Sequence, residues 1–421
     1  MTDRAPMGLA LRAYLAASPL IGLVGPLLLR RRLARGKEDP ERMAEKQGRA
    51  TQPRPEGRLV WLHAVGLGEV LALRGLIAAM GRIDPGLRFL ITSSARSSAQ
   101  VIGANLPDRA QHQYLPLDAP RYVGRFLDHW RPDLSIWAEQ ELWPGAVVAA
   151  HARGIPLALV NARMTEAGLA RRARARGLYR DLLARFALID AQDDRSAAHL
   201  RALGARGVRI SGSLKSAAPP LAADPSRLAE AAAALAGRRV WVAASTHAAD
   251  EAEALAAQAM LWRADPRWLL ILAPRDTARA GQVAAALSQA GLPFARRSLG
   301  RTPAPQDAVW LADSYGEMGL WYRLAEAALI GGSFGPVGGH NPWEAAHFGA
   351  AILHGPEVFN FSNDYKALEG EAAALSLRPG TLGDRLLDAD LRGIGARAQA
   401  MVQRSAGALD PLAADLLRMM R

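Results

Sequence analysis

The feature that most constrains this chain is a repeated alternation of short apolar runs with segments of helical periodicity. Such alternation is typical of parallel β-sheets covered by helices. Between two series of this kind, residues 212–220 combine Gly, Ser and paired Pro, which is typical of a linker. The predicted strands are residues 59–63, 88–92, 133–138, 156–161, 187–191 and 208–211, then 239–244, 268–273, 293–297, 308–312, 327–331 and 351–354.

These two series predict an α/β protein with two doubly wound, Rossmann-like domains, which bind ligands beyond the carboxyl ends of their strands. A length of 421 residues suffices for two such domains, each with its own core. We expect an anchor segment at 1–36, a first domain at 37–215 and a second at 216–421, with the last helices free to pack back on the first domain.

Composition narrows the function classes. Cysteine is absent, which excludes disulfides, thiolate zinc sites and cysteine nucleophiles. The net charge of +12 predicts an anionic partner. No helix-turn-helix, RNA-recognition or zinc-finger pattern accompanies that charge, so we expect no nucleic acid partner.

The amino-terminal segment looks like a membrane anchor. Residues 13–29 carry no charge, and Arg30, Arg31 and Arg32 follow them directly. This order is the reverse of a signal peptide. As a helix the 17 residues reach roughly 26 Å, slightly short of a hydrocarbon core of about 30 Å. Spanning and interfacial attachment both stay open, as does a buried amphipathic helix, and a spanning segment would leave residues 30–421 in the cytoplasm.

Two candidate sites lie in the first series. Glu69 follows Gly66 and Gly68 where the first strand turns into a helix, and the helix dipole favours an ionised carboxylate there. Glu139 and Glu141 follow the third strand, where they could hold sugar hydroxyls. Locally, each pattern is equally that of an ordinary acidic helix start.

The second series offers residues suited to a nucleotide. Ser245 and Thr246 follow one strand and Arg275 the next, which suits a phosphate. Residues 338–344 place Gly338, Gly339 and Asn341 before a helix start, with Glu344 one turn later for ribose hydroxyls. No P-loop or complete Gly-x-Gly-x-x-Gly occurs, which disfavours NTPases and NAD enzymes, and residues 388–390 are expected to be surface rather than a metal site.

Taken in order, these segments resemble the 3-deoxy-D-manno-octulosonic acid (Kdo) transferases from the anchor to about residue 370. The resemblance implies a GT-B glycosyltransferase whose two domains face a cleft, with CMP-Kdo as donor and a lipid A precursor as acceptor. It implies inverting transfer without a metal or other cofactor, at the anionic cytoplasmic face of the inner membrane. The matching segments are 37–41, 63–69, 139–144, 160–163, 212–215, 244–247, 274–275, 316–319, 338–344 and 359–361.

The resemblance also implies roles. Glu69 becomes the base that deprotonates the acceptor hydroxyl. Lys215 and Arg275 bind the donor's anionic groups, and Asn341 and Glu344 the nucleotide. The remaining expectations are Ser245, Thr246, Gly338 and Gly339 on the donor side, and Glu139, Glu141 and Arg163 near the sugar and acceptor.

Some positions depart from the family pattern. Gly66 stands where Ser is usual, and Gly145 stands where Asn is usual. These departures leave open a paralogue with another nucleotide sugar or acceptor. Further alternatives are a UDP-sugar transferase, a non-hydrolysing sugar epimerase, against which the membrane-like amino terminus argues, and a non-catalytic glycolipid-binding membrane protein, against which the retained Glu69, Lys215 and Glu344 argue.

Overall fold

A computed structural model describes residues 5–64, 67–94, 106–107, 109–139 and 141–420, together with Arg96 and Ala99; the side chains of residues 67–71 and 408 lie outside the description. The chain divides into two compact units. Unit 1 comprises Met1–Ala218 with Ser405–Arg421, and unit 2 comprises Pro219–Arg404, so the last long helix of the chain belongs to unit 2 up to Arg404 and to unit 1 from Ser405 onward.

Unit 1 is built on a parallel sheet that has seven strands within the described residues, in the order β3-β2-β1-β4-β5-β6-β7. The chain winds outward from β1 in one direction and then from β4 in the other, so the topological switch point lies between β1 and β4. The strands are β1 Leu59–His63, β2 Arg88–Ser93, β3 Ala110–Tyr114, β4 Leu134–Ala138, β5 Leu157–Ala162, β6 Leu188–Ala191 and β7 Val208–Ile210. The helices are α1 Leu9–Ala34, α2 Leu67–Ile83, α3 Pro120–Trp130, α4 Pro144–Ala152, α5 Glu166–Ala173, α6 Arg176–Leu183 and α7 Asp194–Ala202.

Unit 2 repeats this architecture. Its parallel sheet also has seven strands in the described part of the chain, in the order β10-β11-β9-β8-β12-β13-β14, with the switch point between β8 and β12. The strands are β8 Arg239–Thr246, β9 Trp268–Pro274, β10 Phe294–Arg296, β11 Val309–Leu311, β12 Ala327–Ile330, β13 Ala351–His354 and β14 Ala374–Ser376. The helices are α8 Pro225–Ala234, α9 Ala248–Ala264, α10 Ala280–Gln289, α11 Met318–Leu324, α12 Trp343–Ala346, α13 Ser362–Gly370, α14 Leu382–Asp388 and α15 Leu391–Arg418.

Buried apolar side chains on both faces of each sheet explain why the alternation in the sequence folds this way. Along β1, Trp61 faces one layer of core and contacts Phe126 at 4.9 Å between ring centroids. Its neighbours Val60 and Leu62 face the opposite layer, where Leu412 of α15 also packs. Since both faces are buried, the strands read as continuous apolar runs.

The predicted α/β class with two doubly wound sheets is confirmed, but two strands were missed. β3 and β14 are both edge strands. β3 carries two Gln and a His, and β14 has three residues, so neither forms an apolar run long enough to predict a strand.

Candidate functional site

Unit 1 brings two of the predicted segments to its switch point. β1 and β4 are hydrogen-bonded neighbours, and both end at the same edge of the sheet. The chain leaves β1 for α2, which begins at Leu67, so Glu69 is the third residue of that helix; its side chain lies outside the described residues. The chain leaves β4 directly into Glu139.

Glu139 is held in a constrained position. Its backbone has φ +57°, a left-handed conformation that is unusual for a residue other than Gly, and the residue is 8% exposed. The Lys215 ammonium lies 3.1 Å from its Oε1. Lys215, predicted to bind the donor, is thus placed in unit 1 beside the acidic segment, whereas Glu141 is exposed and Gln140 lies outside the described residues.

Asn161 holds the segment that carries Lys215 near Glu139. Asn161 also has a left-handed backbone, φ +53°, at the end of β5. Its side-chain Oδ1 accepts a hydrogen bond of 3.0 Å from the Leu214 N–H. The segment before Lys215 is therefore fixed to the carboxyl end of the sheet, with Arg163 partly buried two residues beyond Asn161. Asn161 was matched as part of a motif, but no role had been predicted for it.

In unit 2, the predicted phosphate residues lie at the equivalent edge. Ser245, at the end of β8, is a third non-Gly residue with positive φ, +54°. Thr246 is buried, and its carbonyl accepts a hydrogen bond of 3.0 Å from the Arg275 N–H. Left-handed residues of this kind cost of order 1–3 kcal/mol and cluster at functional sites. Arg275 itself is exposed.

Asp250, which sequence reasoning missed, joins the two loops of this switch point. The carboxylate is fully buried in the first turn of α9, which follows β8. It accepts backbone N–H groups from both sides: His247 at 2.9 Å, Gly332 at 2.7 Å, Ser333 at 3.1 Å and Phe334 at 3.0 Å. The loop after β12 is therefore fixed against the start of α9.

Two histidines, also unpredicted, meet at this edge. The Nε2 atoms of His247 and His340 lie 3.0 Å apart, with the rings stacked at 5.3 Å. Burial lowers the pKa of His340 to about 4, and the nearby Arg275 guanidinium acts in the same direction. His340 is therefore neutral near pH 7, so the pair can share one N–H···N hydrogen bond.

Gly338 and Gly339 form a turn, with φ +95° and +74°. A Cβ on Gly338 would collide with the Phe359 ring. Asn360 closes the turn from the other side: its N–H donates to the Gly338 carbonyl at 2.9 Å, and its Nδ2 donates to the Val337 carbonyl at 2.7 Å. The glycines thus allow the segment at 359–361 to pack directly on the turn.

Asn341 and Glu344 lie together, as expected, but the helix that starts there is very short. Asn341 Oδ1 accepts from the Trp343 N–H at 3.1 Å, and its Nδ2 lies 3.4 Å from Glu344 Oε1. The helix is only Trp343–Ala346, so the predicted anion site at a helix start has little dipole behind it. Burial raises the pKa of Glu344 to about 6, against the opposing effects of Asn341 and Arg275.

The chemistry that this edge allows follows from its charges. Arg275 acts electrostatically on both His340 and Glu344, so the predicted donor residues of unit 2 share one neighbourhood. An exposed guanidinium suits a phosphate, and a partly buried carboxylate suits hydroxyl groups. Within the described residues, no group of three or more His, Asp or Glu side chains has an arrangement that could hold a metal ion.

The amino-terminal helix α1 packs along unit 1. In the described part of the chain it is the one helix long and apolar enough to cross a membrane. It runs past the predicted 13–29 at both ends, and Pro19 and Pro26 lie inside it. The Tyr14 hydroxyl donates to Asp118 at 2.6 Å, and the Tyr122 hydroxyl donates to the Gly22 carbonyl at 2.8 Å. Leu20, Leu23, Val24, Leu27 and Leu28 are exposed along α1.

Comparison with known proteins places these features in a family. A family model described as 3-deoxy-D-manno-octulosonic-acid transferase (kdotransferase) matches residues 41–218. The chain is 37% identical over 339 residues to the 3-deoxy-D-manno-octulosonic acid transferase of Bordetella pertussis, covering 78% of each protein. It is 32% identical over 349 residues to that of Rickettsia bellii, covering 83% of each.

Solved structures agree on the fold. The UDP-GlcNAc 2-epimerase from Neisseria meningitidis aligns with a TM-score of 0.58 at 12% identity, covering 86% of this chain and all of that one. A glycosyltransferase from Rickettsia africae aligns with a TM-score of 0.54 at 10% identity and the same coverage. At these identities the likeness concerns the fold alone, and it confirms the predicted GT-B class.

Proposed function

The chain belongs to the 3-deoxy-D-manno-octulosonic acid transferase family and is a glycosyltransferase, and from this premise we propose that it transfers Kdo from CMP-Kdo to a lipid A precursor. In this proposal unit 2 binds the donor and unit 1 binds the acceptor. The reaction is inverting and independent of a metal ion.

The proposal that unit 2 binds the donor rests on one observation: the predicted donor residues come together at the switch point of unit 2. CMP-Kdo presents a single phosphate, a ribose and a sugar carboxylate. Arg275 supplies a cation for the phosphate, and Glu344 with Asn341 supplies polar groups for ribose hydroxyls. Charge that develops on the leaving phosphate can be stabilised by Arg275 without a metal.

The proposal that unit 1 binds the acceptor rests on the pairing of β1 with β4 in the sheet. Glu69 follows β1 and Glu139 follows β4, so both belong to the switch point at which open α/β sheets bind ligands. Glu69 takes the proton of the acceptor hydroxyl while that oxygen forms a bond to the anomeric carbon of Kdo. The bond from that carbon to the phosphate oxygen breaks, and CMP leaves with the electron pair. Glu139 and its partner Lys215 fix the reacting sugar.

Membrane attachment is part of the proposal. α1 contacts unit 1 from Gly8, whose N–H donates to Asp181, to Arg32, which pairs with Glu38. A spanning helix is surrounded by lipid over about 30 Å, and the contacts of α1 with unit 1 at both of its ends argue against that arrangement. We therefore propose that α1 lies in the interface plane at the cytoplasmic face of the inner membrane. The exposed side chains of Leu23 and Leu27 enter the lipid, and Arg30 and Arg31 attract anionic headgroups.

A direct transfer assay tests the reaction. Purified protein in lipid vesicles is incubated with CMP-Kdo generated in situ and a tetraacyl lipid A precursor, and the product is detected by its mass. We expect Glu69→Gln to lower turnover by about 100-fold or more, because a general base contributes about 10²–10⁴-fold. CMP affinity should be unchanged.

Glu56→Gln, the same change at an exposed residue of unit 1, is the matched control and should retain full turnover. Near-normal turnover by Glu69→Gln would remove Glu69 from the role of base. No transfer by folded wild-type protein would refute the proposed reaction.

One observation favours a second candidate, transfer to a different acceptor. The family resemblance implies Asn at position 145, where this chain has Gly, and a Cβ there would lie 2.6 Å from Asp118 Oδ1. Asp118 accepts from the Gly145 and Ala146 N–H groups and from Tyr14, so an Asn at position 145 would displace a buried carboxylate. Assaying other phosphorylated glycolipids beside the tetraacyl precursor distinguishes the two candidates.

A further inference from the structure

A groove opens between α1 and the body of unit 1. Its volume is about 570 Å³, within the range of roughly 300–1,000 Å³ typical of ligand pockets. Leu20, Val24 and Leu28, spaced four residues apart on one stripe of α1, line one wall. Leu117 and Trp143 belong to the opposite wall. We call this the α1 groove.

The shape of the α1 groove depends on small residues in α1. A Cβ on Gly25 would collide with Leu117, so this glycine allows the helix to approach the body beneath the groove. At Gly22 the approach is looser, since a Cβ there would make an ordinary van der Waals contact of 3.4 Å with Ala119. The stripe with Leu20 and Val24 is thereby left beside the body rather than packed into it, and Val24 is 52% exposed.

One end of the groove is charged. Arg32, Glu38 and Lys46 line it. Glu38 is buried and pairs with both cations, so this cluster carries one net positive charge. Arg96 adds a further cation close by, since its guanidinium donates to the Gly36 carbonyl at 3.0 Å. An apolar groove with a cationic end suits an amphiphile that has an anionic headgroup.

We propose that the α1 groove binds one acyl chain of the phosphorylated glycolipid acceptor, with the acceptor's phosphate facing Arg32. This rests on the proposed function, whose acceptor is such a lipid. Trp143 relates the two sites, because it lines the groove and also belongs to the acidic segment 139–144 that begins with Glu139. Leu23 and Leu27, which enter the lipid in the proposal above, lie beside the groove-lining stripe on α1, so the acyl chain passes from bilayer to protein without crossing water.

Binding of this kind makes the acyl chain a determinant of affinity. Each methylene that moves from water into an apolar site contributes about fourfold in affinity. When the acyl chain moves from a bilayer instead of water, the gain in affinity is smaller. Selectivity for the acceptor then comes from the shape of the groove and from its cationic end. The enzyme would thereby extract its acceptor from an excess of membrane phospholipid.

Photo-crosslinking tests the occupant directly. Full-length protein in vesicles of phosphatidylethanolamine and phosphatidylglycerol is irradiated with an acceptor analogue that carries a diazirine on one acyl chain, and the adducts are mapped by mass spectrometry. We expect adducts in the peptides that contain Val24 and Trp143, competed by unlabelled acceptor. Equal labelling there by a diazirine phosphatidylglycerol would overturn the proposal, since the groove would then bind bulk lipid.

Variants provide a second readout. Val24→Trp fills the groove, and we expect it to raise the ratio of KM for the tetraacyl acceptor to KM for the deacylated acceptor at least tenfold. Leu28→Trp repeats the test should Val24→Trp fail to fold. Leu9→Trp, on the same helix at a residue 85% exposed and outside the groove, should leave that ratio within about twofold.

Different experimental outcomes would refute the proposed reaction and the proposed acyl-chain site in the α1 groove. Labelling of the α1 groove without Kdo transfer would refute the proposed reaction and support the groove. Kdo transfer with labelling elsewhere, and with an unchanged KM ratio in Val24→Trp, would refute the groove alone.

Discussion

Asp250 offers the sharpest test of how the unit 2 site is assembled. Its Oδ2 accepts from the His247 and Gly332 N–H groups, and its Oδ1 accepts from Ser333 and Phe334. All four partners are donors, and the carboxylate is fully buried. Asp250→Asn keeps the shape but replaces one acceptor oxygen with an NH₂ group, which then faces two N–H donors.

The cost follows from the hydrogen bonds that are lost. A hydrogen bond to a charged group contributes about 1.5–3 kcal/mol, so losing two lowers the free energy of unfolding of unit 2 by about 3–6 kcal/mol. For a domain of this size, about 2–4 °C of Tm correspond to 1 kcal/mol, and the Tm should therefore fall by about 6–24 °C. CMP affinity should fall as well, because the loops after β8 and β12 lose their shared anchor.

Differential scanning calorimetry and CMP titration measure the two effects. Asp224→Asn is the matched control: Asp224 also accepts backbone N–H groups, from Ser226 and Arg227, but at an exposed helix start where Asn caps equally well. We expect the control to change stability by less than about 0.5 kcal/mol. The reasoning is wrong if Asp250→Asn lowers the Tm no more than Asp224→Asn does.

Two further predictions concern the nucleotide segment. Gly338→Ala should cost about 1–3 kcal/mol, mainly from its positive φ. Because Phe359 is exposed and its ring can move aside, adding Phe359→Ala should recover less than about 0.5 kcal/mol, and a larger recovery by calorimetry would show that the clash dominates. Glu344, with its pKa raised to about 6, is ionised above that pH and protonated below it. If its carboxylate accepts ribose hydroxyls, cytidine affinity falls as the pH falls through 6 and is flat in Glu344→Gln; parallel profiles would contradict this role. Cytidine is used in place of CMP because the phosphate of CMP titrates near pH 6 and would itself make the affinity depend on pH.

The sequence alone determined the architecture to a large extent. β1 and β13 begin and end where the apolar runs at 59–63 and 351–354 do, because a strand buried on both faces must be apolar throughout. β3 was not predicted, because it is an edge strand whose tolerated polar residues form no apolar run. The sequence also indicated where to seek the sites, since parallel strands end at a common edge and the residues that follow them collect there.

Only the tertiary structure decided which of those residues meet. Lys215 lies beside Glu139 because Asn161 fixes the segment that precedes it, across 53 residues of chain. His247 meets His340, 93 residues away, because β8 and β12 are neighbours. Local periodicity records whether a residue is buried, whereas the partner of a side chain depends on strand order. For the same reason, hydropathy revealed that α1 is apolar, but only its packing on unit 1 separated the stripe that faces the body from the stripe that lines a groove.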